Sequence, residues 1–198
     1  MYSSAVTRAL PLLVALLLAA PLAASRADAQ PAPCGERPNA LVADLGQHVV
    51  NLGYQRTLGC YAVAQASAGL YVPWIVNRNV LGQGDGTQPN GDVAGLVLRA
   101  RVFVFPLGTA PSGLWVSPFV QAGPVTASRR GEAGGDSLSG HAFAAGITAG
   151  WTFRLGRRFL LGLGFGGQYH RAVLGGSTDF PGFGRFATTV DINVSWRF

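Results

Sequence analysis

Apolar and polar residues alternate along most of the chain, and the C-terminal segment shows the pattern clearly. In FATTVDINVSWRF, which runs from Phe186 to Phe198, every second residue from Phe186 is apolar or threonine, and the residues between them are small or polar. Successive side chains of a β-strand point to opposite faces, so this period of two predicts a strand with one apolar and one polar face.

The same alternation recurs in eight segments separated by turns rich in Gly, Pro, Asn and Asp, which predicts eight strands. They cover Asn39–Leu45, His48–Thr57, Cys60–Val72, Val93–Phe105, Gly113–Thr126, His141–Leu155, Phe159–Arg171 and Phe186–Phe198. Helical periodicity is weak. After the N-terminal segment, no uncharged apolar stretch reaches the roughly 20 residues that a spanning helix needs.

The apolar faces carry large side chains, whereas the polar faces are rich in Gly, Ala, Ser and Thr and hold scattered arginines. A soluble barrel buries its large apolar side chains, but a small barrel in lipid turns them outward and keeps small and charged residues inside. Trp151, Phe153, Trp196 and Phe198 stand at the ends of apolar faces, where an aromatic girdle belongs. We therefore predict an all-β fold, an eight-stranded antiparallel up-and-down transmembrane β-barrel.

The connections between the segments are of two kinds. Those at 58–59, 106–112 and 156–158 are short, and those at 73–92, 127–140 and 172–185 are long, polar and Gly-rich, although the turn near Gly46 is a short exception. Outer-membrane barrels have short periplasmic turns and longer extracellular loops. We expect both ends of the barrel domain and the short turns to face the periplasm.

The N-terminal segment has the features of a secretory signal peptide. Arg8 precedes an apolar run from Ala9 to Ala24, and Ala27-Asp28-Ala29 is a small-residue cleavage site. We predict a signal peptide at residues 1–29 and an outer-membrane β-barrel domain at 30–198. The expected location is the outer membrane of a Gram-negative bacterium.

Charge adds little to this prediction. The chain has 15 Lys and Arg residues, all of them Arg, against 9 Asp and Glu, for a formal net charge of +6. The arginines are scattered, and several of them lie at alternating positions in apolar segments, which argues against a nucleic-acid-binding face. The expected partner is outer-membrane lipid, and the expected state is a monomer.

An eight-stranded barrel has an interior just wide enough to be filled by side chains. The polar residues expected to face inward include Asn51, Gln121, Gln168 and Asn193, and a polar lumen cluster of Gln55, Arg99, Arg101, Arg154, His170, Asp191 and Arg197; Asp44 joins them if the first strand is correctly placed. Arg outnumbers Asp in this set. It is therefore interpreted either as a structural polar plug or as a narrow anion-selective pore.

No catalytic, cofactor or metal site is predicted. Gly162–Gly167 contains the motif G-x-G-x-x-G. A dinucleotide-binding site needs this motif between a strand and the start of a helix, but here it lies inside an alternating strand. Asp85, Asp92 and Asp136 match no calcium-loop spacing. We expect a protein that is not an enzyme.

The last residues and several internal pieces resemble those of small, largely uncharacterised bacterial outer-membrane barrels of the OmpA/OmpX architecture. The matching pieces are Asn39–Leu41, Leu52–Arg56, Leu98–Arg101, Gly113–Val120, Ala149–Trp151 and the terminal Val194-Ser195-Trp196-Arg197-Phe198. The resemblance implies that Val194, Trp196 and Phe198 form a C-terminal signal for the outer-membrane assembly machinery. The family usually carries Glu at the position of Gln55, so this chain lacks one expected lumen carboxylate.

Lipid A deacylases of the outer membrane resemble this size class and use a His and a Ser close together in a strand. His170 has no Ser two residues on, and Ser139, close to His141, is expected in a loop. The predicted role is therefore structural or interactive, with surface ligands bound through the extracellular loops. The alternatives are the narrow anion-selective pore and a secreted, soluble, lipocalin-like ligand-binding barrel.

The topology brings the two cysteines to one end of the barrel. Cys34 precedes the first predicted strand and Cys60 follows the turn between the second and third. A disulfide is permitted in an exported protein. A Cys34–Cys60 disulfide and two unpaired thiols are both consistent with the sequence, because it does not fix the distance between their Cα atoms.

Overall fold

The computed structural model describes residues 38–46, 49–71, 91–129, 137–175 and 184–198. Eight strands form it: β1 (Asn39–Gly46), β2 (Val49–Thr57), β3 (Ala62–Tyr71), β4 (Gly91–Val104), β5 (Gly113–Arg129), β6 (Ser137–Arg154), β7 (Phe159–Leu174) and β8 (Gly184–Arg197). Each predicted strand is confirmed, with its bounds shifted by at most a few residues.

The strands pair in chain order and close into a barrel, and every pairing is antiparallel. The barrel is closed by β1 and β8, where Ala40 is opposite Arg197 and Gly46 is opposite Asp191. The predicted fold class, an all-β eight-stranded antiparallel barrel, is confirmed. Closure pairs the outer edges of β1 and β8, so the sheet has no free edge.

The two ends of the barrel differ. We call the end at residues 58–61, 105–112 and 155–158 the turn end; it also holds the start of β1 and the last residue, Phe198. The opposite end, where residues 72–90, 130–136 and 176–183 connect the strands, is the loop end.

The strands β5, β6 and β7 extend further toward the loop end than the sequence pattern predicts. They have 17, 18 and 16 residues, against 8 to 10 in β1, β2 and β3. The predicted loop at 127–140 is therefore wrong in its bounds, because the pairing of β5 with β6 continues to Ser128 and Ser137.

Side-chain burial alternates as the period of two requires. In β8, Thr189, Asp191, Asn193, Ser195 and Arg197 are buried, and Val190, Val194, Trp196 and Phe198 on the other face are exposed. The apolar face of the C-terminal segment therefore points away from the barrel and the polar face lines its lumen.

The predicted signal peptide at residues 1–29 and Cys34 lie outside the described residues. Among the residues that are described, no helix is long and apolar enough to cross a membrane. Gly162–Gly167 lies within β7, as predicted, and no helix opens on it.

Candidate functional site: the packed lumen

Four charged side chains meet in the lumen, and we call Asp44, Arg99, Arg101 and Asp191 the ion-pair quartet. Nη1 of Arg99 donates to Oδ1 of Asp44 at 3.1 Å and to Oδ1 of Asp191 at 3.2 Å. Nη2 of Arg101 donates to Oδ2 of Asp191 at 2.7 Å. All four are almost completely buried, so each charge is compensated by a neighbour rather than by water.

The quartet connects opposite walls of the barrel. Both arginines lie on β4, whereas Asp44 lies on β1 and Asp191 on β8, the two strands that close the barrel. Because the carboxylates are held from across the lumen, the quartet ties β4 to the closing strands in addition to their backbone pairing.

Neutral polar groups extend this network. Nε of Arg101 donates to Oγ of Ser117 at 3.0 Å, and Oγ1 of Thr148 donates to Oδ2 of Asp191 at 3.0 Å. Nε2 of Gln65 donates to Oδ2 of Asp44 at 3.0 Å. Each of the two carboxylates therefore also accepts a hydrogen bond from a neutral donor, as expected for buried charges.

Gln55 belongs to the same network through two further bonds. Its Nε2 donates to Oε1 of Gln65 at 2.7 Å, and its Oε1 accepts from Oγ of Ser195 at 2.8 Å. The amide at this position thus both donates and accepts, which a carboxylate could not do.

Aromatic rings pack against the two guanidinium groups. The Cζ of Arg99 lies 4.2 Å from the ring centroid of Phe119, and the Cζ of Arg101 lies 4.3 Å from that of Phe103. Phe103 and Trp115 pack in a T-shaped arrangement, with ring centroids 5.1 Å apart. Hydrogen bonds to a guanidinium group lie in its own plane. The aromatic rings pack on the faces of the group that these bonds leave open.

Two apolar clusters lie above and below the quartet. The loop-end cluster comprises Val49, Tyr71, Val97, Val125, Ala142, Ala172 and Leu174, and the turn-end cluster comprises Val63, Phe103, Phe105, Ala110 and Trp115. The lumen is therefore layered, with apolar side chains at both ends and the charged network between them.

Glycines make room for the largest lumen side chain. Trp115 is fully buried, and an added Cβ at Gly150 would lie 2.6 Å from its Cζ2 atom. A Cβ at Gly164 would overlap the ring, whereas one at Gly162 would meet its nearest neighbours at an ordinary 3.4 Å. Lumen-facing glycines therefore relieve crowding at Gly150 and Gly164, and do so less at Gly162.

The structure brings most of the predicted lumen cluster inside. Arg99, Arg101 and Asp191 form the quartet, and Gln55 reaches it through Gln65. His170 is buried on the lumen side of β7 nearer the loop end, and Arg197 is buried at the turn end.

The assignment of Arg154 to the lumen cluster is wrong. Arg154 is the last residue of β6 and is exposed, and its Nε donates to Oγ of Ser112 at 3.0 Å. The alternation along β6 does place Arg154 on the side of the strand that faces the lumen. However, it lies at the turn end, where the barrel wall no longer encloses it.

The sequence left the inward position of Asp44 conditional, and it did not identify Gln65, Ser117 and Thr148 as members of the network. Asp44 is fully buried and binds Arg99. Alternation could have placed each of these residues inward. No local signal, however, indicates which inward residues of different strands come into contact.

Ser139 was expected in a loop, and this expectation is wrong. Ser139 and His141 both lie in β6 and are exposed on its outer face. Within the described chain, no group of three or more His, Cys, Asp and Glu residues is arranged to hold a metal ion.

Cys60, in the connection between β2 and β3 at the turn end, is disulfide-bonded. Its carbonyl oxygen accepts a hydrogen bond from the backbone N–H of Ala110 at 2.9 Å, which joins two turn-end connections. Cys34 lies outside the described residues, so its pairing with Cys60 stays a prediction.

The outer face of the barrel is a continuous apolar surface. On β6 it runs from Phe143 through Ile147 and Trp151 to Phe153, and the outward residues beyond Phe143 are the polar His141 and Ser139. This apolar stretch of about eleven residues matches the length of a tilted membrane-spanning strand.

Aromatic side chains border this surface at both ends. Trp196 and Phe198 contact each other near the turn end with ring centroids 6.1 Å apart, and Trp151 and Phe153 are exposed at the same end. Tyr169 and Phe186 pair nearer the loop end at 5.4 Å. The class defined by fold and site is thus a closed barrel with its polarity reversed, charged inside and apolar outside, opposite to a soluble lipocalin-like barrel.

The sequence matches no family model and no curated protein. Among solved structures, it is similar to CarO of Acinetobacter baumannii (10% identity over 82% of this chain and 98% of that one, TM-score 0.44). It is also similar to the N-terminal β-barrel domain of Pseudomonas aeruginosa OprF (15% identity over 82% of this chain and 98% of that one, TM-score 0.43). A third similar structure is Neisserial surface protein A (10% identity over 81% of this chain and 94% of that one, TM-score 0.44). These are small eight-stranded outer-membrane barrels, and the likenesses carry nothing about a ligand or a role.

Proposed function

We propose that the protein is an outer-membrane β-barrel of a Gram-negative bacterium with a closed lumen and a structural or surface-interaction role. The observation that carries the proposal is the reversed polarity of the barrel. Asp44, Arg99 and Asp191 are buried to within 2% of complete burial, whereas Leu52 is 73% exposed on the outer face. A hydrocarbon solvent makes this arrangement favourable, and water would make it costly.

The contents of the lumen favour a plug over an anion pathway. The quartet holds two positive and two negative side chains, so its charges balance. An anion would have to displace carboxylates from Arg99 and Arg101 and pass the loop-end and turn-end clusters, whose mostly apolar side chains replace little of its hydration.

A role at the surface is supported by the unequal heights of the strands. A strand of about ten residues suffices to cross a membrane, and β5, β6 and β7 are longer by several residues at the loop end. With the turn end in the periplasm, these extensions would project from the cell and offer a surface for a partner. No catalytic role is proposed for Ser139 and His141, whose structural setting here is an exposed strand face.

The outward placement of Val194 and Trp196 on β8, and of Phe198 directly after it, supports their proposed role in assembly. β8 is one of the two closing strands, and the backbone N–H of Phe198 donates to the carbonyl of Asn39 at 3.0 Å. Before closure, these side chains would be available to the assembly machinery on an unpaired edge.

The test is heat modifiability of the mature protein in washed outer membranes. We expect it to stay in the membrane pellet and to migrate differently in mild SDS gels before and after boiling. A protein that washes off and shows one mobility would contradict the proposal.

Measurements of conductance distinguish a plugged lumen from an anion-selective pore. In planar bilayers, we expect no discrete anion-selective steps from the wild type. Wild-type steps that are lost in Arg99→Ala would identify the lumen as an anion pathway instead.

A further inference from the structure

Exposed arginines gather at the turn end of the barrel. Arg157 and Arg158 lie in the connection between β6 and β7, and Arg56 lies on the outer face of β2 one residue before its end. Arg157 and Arg158 are exposed and Arg56 is half-buried. We call these three residues the arginine collar.

The collar faces no acidic side chain in the described chain. Asp44 and Asp191 are buried and engaged in the quartet, and Asp92 belongs to the loop-end part of β4. In the sequence, Asp85, Glu132, Asp136 and Asp179 all fall between strands that are joined at the loop end. In the sequence, Glu36 and Arg37 precede β1. Even with Glu36 and the α-carboxylate of Phe198 counted, arginines outnumber acidic groups among the residues next to the turn end.

The collar borders the apolar outer surface directly. Arg157 and Arg158 lie between Leu155 and Phe159, which are 62% and 51% exposed, and Arg56 is two residues from the exposed Leu58. In a bilayer these apolar neighbours would enter the hydrocarbon boundary. Long arginine side chains at that depth direct their guanidinium groups toward the headgroups.

Backbone hydrogen bonds hold the paired arginines in place. The N–H of Leu155 donates to the carbonyl of Phe159 at 3.0 Å, and the N–H of Arg197 donates to the carbonyl of Arg158 at 2.8 Å. The turn is thereby fixed to both β7 and β8. Little ordering of the backbone is needed when the two guanidinium groups bind a ligand.

We propose that the arginine collar binds the phosphate groups of anionic phospholipids in the leaflet that surrounds the turn end. The guanidinium group suits phosphate because its planar fork donates two parallel hydrogen bonds. The inference rests on the proposed function, since it requires the barrel to lie in a bilayer. With the turn end in the periplasm, the leaflet is the inner one of the outer membrane.

The test measures lipid preference by native mass spectrometry of the full mature barrel, refolded and released from micelles that hold equal amounts of phosphatidylglycerol and phosphatidylcholine. We expect the wild type to retain phosphatidylglycerol preferentially. Arg157→Gln and Arg158→Gln should each reduce this preference roughly fivefold, as expected for one basic residue near an anionic surface, and the double variant should reduce it further.

Arg171→Gln is the matched control, because Arg171 is an exposed arginine of β7 nearer the loop end. It should leave the preference unchanged, and an equal loss in this variant would overturn the inference. So would removal of the preference by excess inorganic phosphate, which would indicate a site for small anions instead of a lipid surface.

Gel mobility separates the two proposals. A barrel that inserts into vesicles and shows the heat-dependent shift, but has no preference for phosphatidylglycerol, contradicts the collar inference alone. A barrel that does not insert contradicts the proposed function itself.

Discussion

At the scale of single residues, the packing of the lumen depends on the pairing of opposite charges and on the fit of large side chains beside glycines. Asp191 accepts hydrogen bonds from both arginines of the quartet and from Thr148. Trp115 fills the space that Gly150 and Gly164 leave. Each of these contacts can be broken by replacing one residue with another of almost the same size. Single substitutions therefore test the packing of the lumen.

Asp191→Asn removes one charge of the quartet and leaves Arg101 buried without its closest carboxylate. We expect it to lower the free energy of unfolding by about 3–5 kcal/mol, as breaking a buried ion pair does. The measurement is urea unfolding of the refolded barrel in vesicles, followed by the gel shift. Adding Arg101→Met should recover much of the loss, because it restores charge balance; equal stability of Asp191→Asn and the wild type would mean that the pair contributes little.

Gly164→Ala forces a methyl group into the ring of Trp115. We expect a loss of about 1–3 kcal/mol from overpacking in the same unfolding measurement. Gly162→Ala is the control in the same strand and on the same face, where a Cβ meets only ordinary contacts, so it should change stability little. If the two variants were equally stable, Trp115 would not occupy the space assigned to it.

At the scale of elements, the barrel wall has two heights. β1, β2 and β3 are about as long as a membrane crossing requires, and β5 and β6 remain paired well beyond that length. The transmembrane part and the projecting part of the β5–β6 hairpin should therefore be separable.

Replacing residues 127–138 by Asn-Gly would join Thr126 to Ser139, which are paired in the wild type. Asn-Gly suits a two-residue hairpin turn. We expect this variant to insert and keep its heat-dependent mobility, because the quartet and both apolar clusters lie outside the deleted segment. Loss of the folded band would show that the hairpin tip is needed for assembly of the barrel.

The connection between β2 and β3 is tied down by a disulfide at Cys60. We expect thiol titration of the denatured mature protein to find no free thiol before reduction and two after it. Two reactive thiols before reduction would contradict the predicted Cys34–Cys60 pairing.

At the scale of the whole molecule, polarity is reversed between inside and outside, and charge is uneven between the two ends. The first property suits the barrel to hydrocarbon, and the second gives it a preferred headgroup at the turn end. The reversed polarity is a sum over all eight strands, so single substitutions should alter it less than they alter the quartet.

Tryptophan fluorescence provides a direct measure of the reversed polarity. Trp151 is 46% exposed on the outer face, whereas Trp115 is fully buried in the lumen. In vesicles of brominated phosphatidylcholine, a variant that retains only Trp151 should be quenched strongly, and one that retains only Trp115 should be quenched little. Equal quenching of the two would contradict the assignment of inside and outside.

The strands and the directions of their side chains were predictable from the sequence, because the facing of a side chain in a strand is a local property with a period of two. The same property predicted that Arg99, Arg101 and Asp191 face inward and that Trp151 and Phe198 face outward. It also assigned Arg154 to the lumen side, but could not show that the residue lies past the enclosed part of the barrel.

Contacts across the lumen were decided by the tertiary structure. Arg99 meets Asp44 across 55 residues of sequence, and Arg101 meets Asp191 across 90. Which inward residues share a level depends on the stagger between strands and on the closure of β1 with β8, which no single segment encodes. The sequence by itself therefore determined a barrel with a polar interior and an apolar exterior, and only closure of the barrel determined that its central charges are paired and that its ends are filled by apolar side chains.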